Sequence, residues 1–239
     1  MKWSILTGLL LCSCLALTQE PAEISTEPHY RLLLENDQVR VYSLILHSNE
    51  SAAVRLRRSF MTVALQDSEI VIWDEGKSPT QHFLIHKGET SFRCLSPVCS
   101  APQLLANGVG GGFRNDLPND YRNITVEFLD PKVGWAMTDS GTITSPAAMF
   151  VGGALVSDVL LKPGDSFPAP AKANARLVIP VTDIDLTCGA GIRIRNYPGD
   201  VGWIQADQTS ALVNSGRNPS RFITVEFRPG DYDAPTTAP

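Results

Sequence analysis

Two stretches of the chain, residues 121–128 and 220–227, show nearly the same alternation of apolar and polar side chains. The first reads Tyr-Arg-Asn-Ile-Thr-Val-Glu-Phe and the second Ser-Arg-Phe-Ile-Thr-Val-Glu-Phe. In both, isoleucine, valine and phenylalanine fall on one face of an extended chain, and threonine and glutamate fall on the other. A period of two residues is the pattern of a β-strand. Each stretch therefore predicts a strand, and the pair predicts an internal repeat.

A second pair of apolar strands lies upstream of the first pair. Residues 39–46 run into the turn Asn49-Glu50-Ser51, and residues 154–161 run into the turn Gly164-Asp165-Ser166. These turns are offset by 115 residues, whereas the strands described above are offset by 99. The first half of the chain therefore carries extra residues between its paired ends, and a duplication is the simplest interpretation.

Turn residues punctuate the rest of the chain at short intervals, and we find no long amphipathic helical pattern. Closely spaced short strands indicate an all-β class of the sandwich or barrel type. Hydrophobic residues make up 43% of the 239 residues and charged residues 19%, which is typical of a globular protein. The net charge of −5 offers no attraction to phosphate backbones, so we expect no nucleic-acid partner.

The N-terminus has the pattern of an export signal. Lys2 supplies a positive charge, residues 5–11 are mostly apolar, and small residues follow up to Ala16. Cleavage after Ala16 is one outcome. The other makes Cys14 the lipidated first residue, because residues 11–14 resemble a bacterial lipobox. No later segment has the ~20 apolar residues of a membrane span, so we expect an exported chain that is periplasmic, extracellular or tethered to the envelope by lipid.

Export changes the meaning of the cysteines. Cys94 and Cys99 flank Pro97, which favours a tight turn, and an oxidising compartment favours a small disulfide loop between them. Two free thiols, or a pairing of one of them with Cys188, are the alternatives. A metal role is disfavoured, because no other cysteine or histidine pair lies nearby in the sequence.

Framework residues keep matching places in the two halves. Gly88 and Gly199 each stand before a segment that ends in an asparagine, at Asn115 and Asn214. On these residues and on the repeated strands, the chain resembles a bicupin, in which two cupin barrels of the jelly-roll type follow one another. The resemblance implies two tandem barrels with these parts: signal peptide 1–17, linker 18–29, barrel 30–130, connection 131–148, barrel 149–230 and loose tail 231–239.

Metal-binding cupins hold a divalent ion with three histidines and one glutamate. The first family motif carries a His-any-His and the glutamate, and the second carries the third histidine. The resemblance places His-any-His on Arg55-Leu56-Arg57 and Pro170-Ala171-Lys172, the glutamate on Met61 and Arg176, and the third histidine on Gly111 and Ser210. Arginine and lysine offer only hydrogen-bond donors and a positive charge, so they repel a cation. We therefore expect no metal and no cofactor.

The replaced positions suggest an anion-binding cup instead. If Arg55 and Arg57 point inward, two guanidinium groups in a partly dry cavity favour a small carboxylate, sulfate or phosphate. Lys172 and Arg176 would act likewise in the second barrel. The polar residues predicted to assist are Asn115, Asn214 and Ser210. In the alternative interpretation the arginines are solvated or paired with acids, and the asparagines hydrogen-bond turn backbone.

The first functional prediction is an exported, metal-free bicupin that acts as a small-molecule binding or structural module. One alternative is a bicupin enzyme, an isomerase, lyase or dioxygenase, with non-standard metal ligands. A second alternative is an interaction protein of the cell envelope. The sequence leaves the oligomeric state open.

Overall fold

The computed structural model describes residues 21–95, 107–133, 147–170, 172–189, 191–208 and 210–228, with only the backbone described for residues 147–150. The predicted signal peptide with Cys14, the C-terminal tail, Cys99 and most of the predicted connection lie outside the described residues. Those expectations stay predictions.

Strands dominate the described residues, and the predicted all-β class is confirmed. A short 3₁₀ helix, Ala206–Gln208, follows β17. The strands of the first half are β1 (Ala22–Glu23), β2 (Tyr30–Glu35), β3 (Val39–Leu46), β4 (Ser51–Leu56), β5 (Phe60–Ala64), β6 (Ser68–Asp74), β7 (Gln81–Ile85), β8 (Thr90–Arg93), β9 (Val109–Arg114) and β10 (Tyr121–Phe128). The strands of the second half are β11 (Ala147–Phe150), β12 (Ala154–Leu161), β13 (Ser166–Phe167), β14 (Arg176–Pro180), β15 (Ile184–Cys188), β16 (Ile192–Asn196), β17 (Gly202–Ile204), β18 (Leu212–Asn214) and β19 (Ser220–Phe227).

Each half of the chain folds into two sheets that face one another as a barrel. The first barrel consists of the sheets β1-β4-β9-β6-β7 and β2-β3-β10-β5-β8. The second consists of β11-β12-β19-β14-β17 and β13-β18-β15-β16. The repeated strands β10 and β19 lie at the centre of corresponding sheets. Each pairs antiparallel with two neighbours, β3 and β5 in the first barrel and β12 and β14 in the second.

The two barrels pack against each other through the outer faces of these corresponding sheets. On β10, Ile124, Val126 and Phe128 belong to one buried cluster with Ile223 and Val225 of β19. The threonine and glutamate of each repeat point the other way, into their own barrel, and they are buried as well. Both faces of β10 and β19 are therefore buried, although the alternation of their sequences is the pattern of a strand with one solvated face.

The packing between barrels has the reciprocity of a two-fold axis. Phe128 and its repeat equivalent Phe227 contact each other, with ring centroids 6.2 Å apart. Arg221 of the second barrel donates to the carbonyl oxygen of Lys87 beside Gly88, at 2.9 Å. Its equivalent Arg122, in the first barrel, lies against Gly199 of the second. Such reciprocal contacts are those of an isologous dimer interface, here contained in one chain.

The predicted linker, residues 18–29, is more regular than expected in its described part. Strand β1 pairs in parallel with β4, and Ile24 packs into the first barrel beside Tyr42 and Val54. The segment is mostly polar, which suggested a linker, but the single apolar residue Ile24 packs into the barrel core. No helix in the described part of the chain is long and apolar enough to cross a membrane. Cys188 is a buried free thiol.

Candidate binding site

The structure corrects the expected inward orientation of Arg55. On β4, Val54 and Leu56 face the interior of the first barrel, and they pack there with Tyr42. Arg55 alternates with them and lies on the outer face, because side chains along a strand point to opposite sides. Arg57 follows the end of β4, in the loop to β5. Arg55 pairs with Glu75, and Arg57 pairs with Glu23 at 2.8 Å.

The two asparagines that close the family motif hold turns. The side-chain amide of Asn115 donates to the carbonyls of Leu46 and Asn119, and its oxygen accepts from the backbone of Leu117. Asn214 repeats this arrangement in the second barrel. It donates to Leu161 and Asn218 and accepts from Gly216. Both amides are thus occupied by backbone, in agreement with the alternative that the sequence left open.

Arg176 lies inside the second barrel, and it is 1% exposed. Its guanidinium group stacks on Phe167, with 5.0 Å between the Cζ atom and the ring centroid. The other residues predicted for this barrel are placed differently. Lys172 is exposed. Ser210 has its hydroxyl 3.2 Å from the thiol of Cys188, and it donates to the carbonyl of Ala211.

Two buried carboxylates, Glu127 and Glu226, occupy equivalent places in the barrel interiors, and the sequence analysis did not select them as site residues. Each has a guanidinium partner, but the partner comes from a different strand in each barrel. Glu127 lies 3.8 Å from Arg40 of β3, and Glu226 lies 3.7 Å from Arg176 of β14. The sequence did contain one indication of these two residues, since a glutamate stands at the same position of both repeated strands.

The Glu127 end of the first barrel opens into a cavity of about 330 Å³. We call it the arginine cavity. The loop between β4 and β5 supplies Arg57, Arg58 and Ser59 to its wall, while β3 and β10 end at the same place. The polar residues of the wall are Glu23, Arg40, Arg57, Arg58, Ser59 and Glu127.

The charges around this cavity are unevenly matched. Arg57 is paired with Glu23, and Arg40 lies between Glu35, at 2.7 Å, and Glu127. The hydrogen bond that Nε of Arg40 donates to the carboxylate of Glu35 raises the pKa of Arg40. Burial raises the pKa of Glu127, although the nearby guanidinium groups of Arg40 and Arg58 oppose that shift. Arg40 and Arg57 thus have carboxylate partners, Glu35 and Glu127 for the first and Glu23 for the second. Arg58 is the guanidinium group of the wall that has no carboxylate within ion-pair distance among the described residues, and it donates to the carbonyl of Leu129.

Comparison of the sequence with family models and with curated proteins finds no match. The fold does have solved counterparts. AerE from Microcystis aeruginosa superposes with a TM-score of 0.58 at 11% identity, over 87% of this chain and 98% of that one. A cupin 2 conserved barrel domain protein from Leptotrichia buccalis gives 0.53 at 10% identity, over 83% and 88%. The bacterial pirin YhhW from Escherichia coli, in complex with nickel(II), gives 0.56 at 9% identity, over 84% and 90%.

The chain has the fold of a two-barrel cupin. At identities near 10% the likeness shows the fold alone, so the chemistry of this chain has to be argued from its own side chains.

The side chains of this chain do not fit the divalent ion that the family motif described above would hold. The place that the family motif gives to a glutamate ligand is held by Arg176 in the second barrel. In the first barrel it is held by Met61, which faces the packing between barrels. Among the described residues, no three histidine, cysteine, aspartate or glutamate side chains converge on a point that could hold a metal ion.

Proposed function

We propose that this bicupin is a binding module that holds a small anionic molecule, such as a carboxylate, in the arginine cavity. The observation that carries the proposal is that Arg58, on the wall of a cavity of about 330 Å³, has no carboxylate within ion-pair distance among the described residues. That volume lies at the lower end of the range for small-molecule sites, and a few convergent charged groups are what orient such ligands.

Arg58 is the arginine best placed to receive the ligand. Its one hydrogen bond within the described part of the chain runs from Nη1 to the carbonyl of Leu129, at 3.0 Å. Arg40 and Arg57, by contrast, already face carboxylates. A guanidinium group has five N–H donors, so Arg58 keeps several for a ligand. Its planar fork matches the geometry of a carboxylate or a phosphate.

The test is a binding assay with sodium glucuronate, sodium succinate and sodium phosphate at constant ionic strength, using isothermal titration calorimetry. We expect at least one of them to bind, and Arg58→Ala to weaken that binding roughly 10- to 100-fold. Loss of a charge-assisted hydrogen bond costs about 1.5–3 kcal/mol, and each 1.4 kcal/mol is tenfold in Kd.

Arg31→Ala is the matched control, because Arg31 is exposed, lies on β2 of the same barrel and does not line the arginine cavity. It removes the same charge from the same barrel. Equal affinity in Arg58→Ala and the parent would contradict the proposal. If both variants weakened binding equally, the effect would come from the loss of overall positive charge and not from a contact between Arg58 and the ligand.

The proposal includes export and a metal-free site. Export is supported by the N-terminal pattern of Lys2, the apolar residues 5–11 and the small residues that follow. Mass spectrometry of the protein from its host should find a mature chain that begins near residue 17 or a lipidated chain that begins at Cys14. Elemental analysis should find no transition metal at stoichiometric amounts. A bound metal would instead favour the enzyme alternative.

A further inference from the structure

The interior of the second barrel contains a guanidinium group that the surrounding residues satisfy only in part. Nη2 of Arg176 donates to the carbonyl of Pro168 at 3.2 Å and lies 3.7 Å from Glu226. Nε and Nη1 are buried and have no hydrogen-bond partner in the described part of the chain. A buried donor without a partner costs about 1–3 kcal/mol, so a partner for these two groups would stabilise the fold.

Glu226 does not balance the charge of Arg176 by itself. One of its oxygens accepts from Nε of Arg228 at 2.9 Å and from the side-chain amide of Asn174 at 3.1 Å. The other is the oxygen that lies 3.7 Å from Arg176. Two guanidinium groups thus share one carboxylate, and the cluster keeps a net positive charge.

The surroundings of Arg176 strengthen its attraction for an anion. The ring of Phe167 covers one face of the guanidinium group, and Ile204 is its neighbour on the paired strand β17. Burial lowers the pKa of Arg176, which reflects how poorly this interior solvates a lone cation. In such a medium an ion pair is much stronger than in water.

We infer that the interior of the second barrel binds a small oxyanion, such as a short carboxylate or nitrate, against Nε and Nη1 of Arg176. A water molecule would accept these hydrogen bonds but would leave the excess positive charge unbalanced. An anion would accept the hydrogen bonds and would also neutralise the charge. The site shares no side chain with the arginine cavity and does not depend on it.

The experiment measures thermal stability in sodium acetate and in sodium nitrate, against sodium chloride at the same ionic strength. It uses Arg58→Ala as the parent, so that binding in the arginine cavity does not contribute. We expect Tm to rise with the logarithm of the anion concentration and to be about 4 °C higher when the anion is tenfold above its Kd. The double variant with Arg176→Met should lose this rise, and the double variant with Arg31→Ala should keep it.

A second measurement covers the case in which Arg176→Met does not fold. The Nε–Hε resonance of Arg176, followed by NMR in Arg58→Ala, should shift saturably with acetate or nitrate. A rise in Tm that persists without Arg176, or the lack of any rise together with an unmoved resonance, would overturn the inference. A response abolished by Arg58→Ala alone would also overturn it, while supporting the arginine cavity as the anion site.

Discussion

Replacing Gly88 by alanine should break one of the two equivalent contacts between the barrels. Gly88 has a φ of +84°, and a Cβ atom added there would lie 2.6 Å from Nη2 of Arg221. Arg221 cannot withdraw freely. It donates to both carboxylate oxygens of Asp158, at 3.1 and 2.7 Å, and to the carbonyl of Lys87. The methyl group therefore forces the guanidinium group off at least one of these partners.

The expected cost has two parts. An L-residue in the left-handed region costs roughly 1 kcal/mol more than glycine. Displacement of Arg221 costs about 1–2 kcal/mol for a hydrogen bond to a charged group, and its contact with Asp158 is partly exposed and therefore weak. The sum is about 2–3 kcal/mol. Gly76 has a φ of +75° and no atom within 4 Å of an added Cβ, so Gly76→Ala should cost only the first part.

Urea unfolding followed by tryptophan fluorescence gives the free energy of unfolding of each variant. Subtracting the loss of unfolding free energy in Gly76→Ala from the loss in Gly88→Ala gives the contribution of the contact between the barrels. In an Arg221→Ala background the difference should vanish, because the methyl group then meets no guanidinium group. Equal costs for the two alanine variants in the parent chain, or a difference that survives in Arg221→Ala, would refute the reasoning.

Two further predictions concern single side chains. Asn214→Ala removes three hydrogen bonds from a turn and should lower the free energy of unfolding by about 2–4 kcal/mol. Asn115→Ala should have a similar effect. A loss below about 1 kcal/mol, measured by urea unfolding, would contradict the structural role of these side chains. Glu127→Gln should flatten the pH dependence of stability. Burial raises the pKa of Glu127 in the folded state, so its contribution is fully present below the unfolded pKa, near 4.5, and is lost as pH rises through the folded pKa. Melting curves between pH 4 and pH 8 should therefore show the variant gaining on the parent as pH rises, and a constant difference would count against a perturbed Glu127.

Much of the architecture was readable from the chain because local pattern and global fold agree. The repeated strands β10 and β19, their alternation and the turns after β3 and β12 all follow from a period of two and from turn chemistry. The duplication was visible because both copies keep the same core residues. The described part of the linker is the exception, since one apolar residue, Ile24, was enough to draw it into the first barrel.

The candidate site was only partly readable, and Arg55 shows why. A shift of one residue reverses the face of every side chain on a strand, so matching a family motif by spacing placed Arg55 on the wrong side of β4. Glu127 and Glu226 were not predicted as site residues, because a glutamate on a strand with alternating apolar and polar residues is expected to face solvent.

The sequence by itself determined that this protein is a duplicated β-structure with cationic and small residues where related barrels place metal ligands. Tertiary structure decided which face of each strand points into its barrel. Both faces of β10 and β19 are covered, so alternation alone does not distinguish the face inside the barrel from the face that packs against the other barrel. It also decided the pairing of charges. Arg40 and Arg176 reach equivalent glutamates from different strands, and distances between strands are fixed by packing rather than by position along the chain.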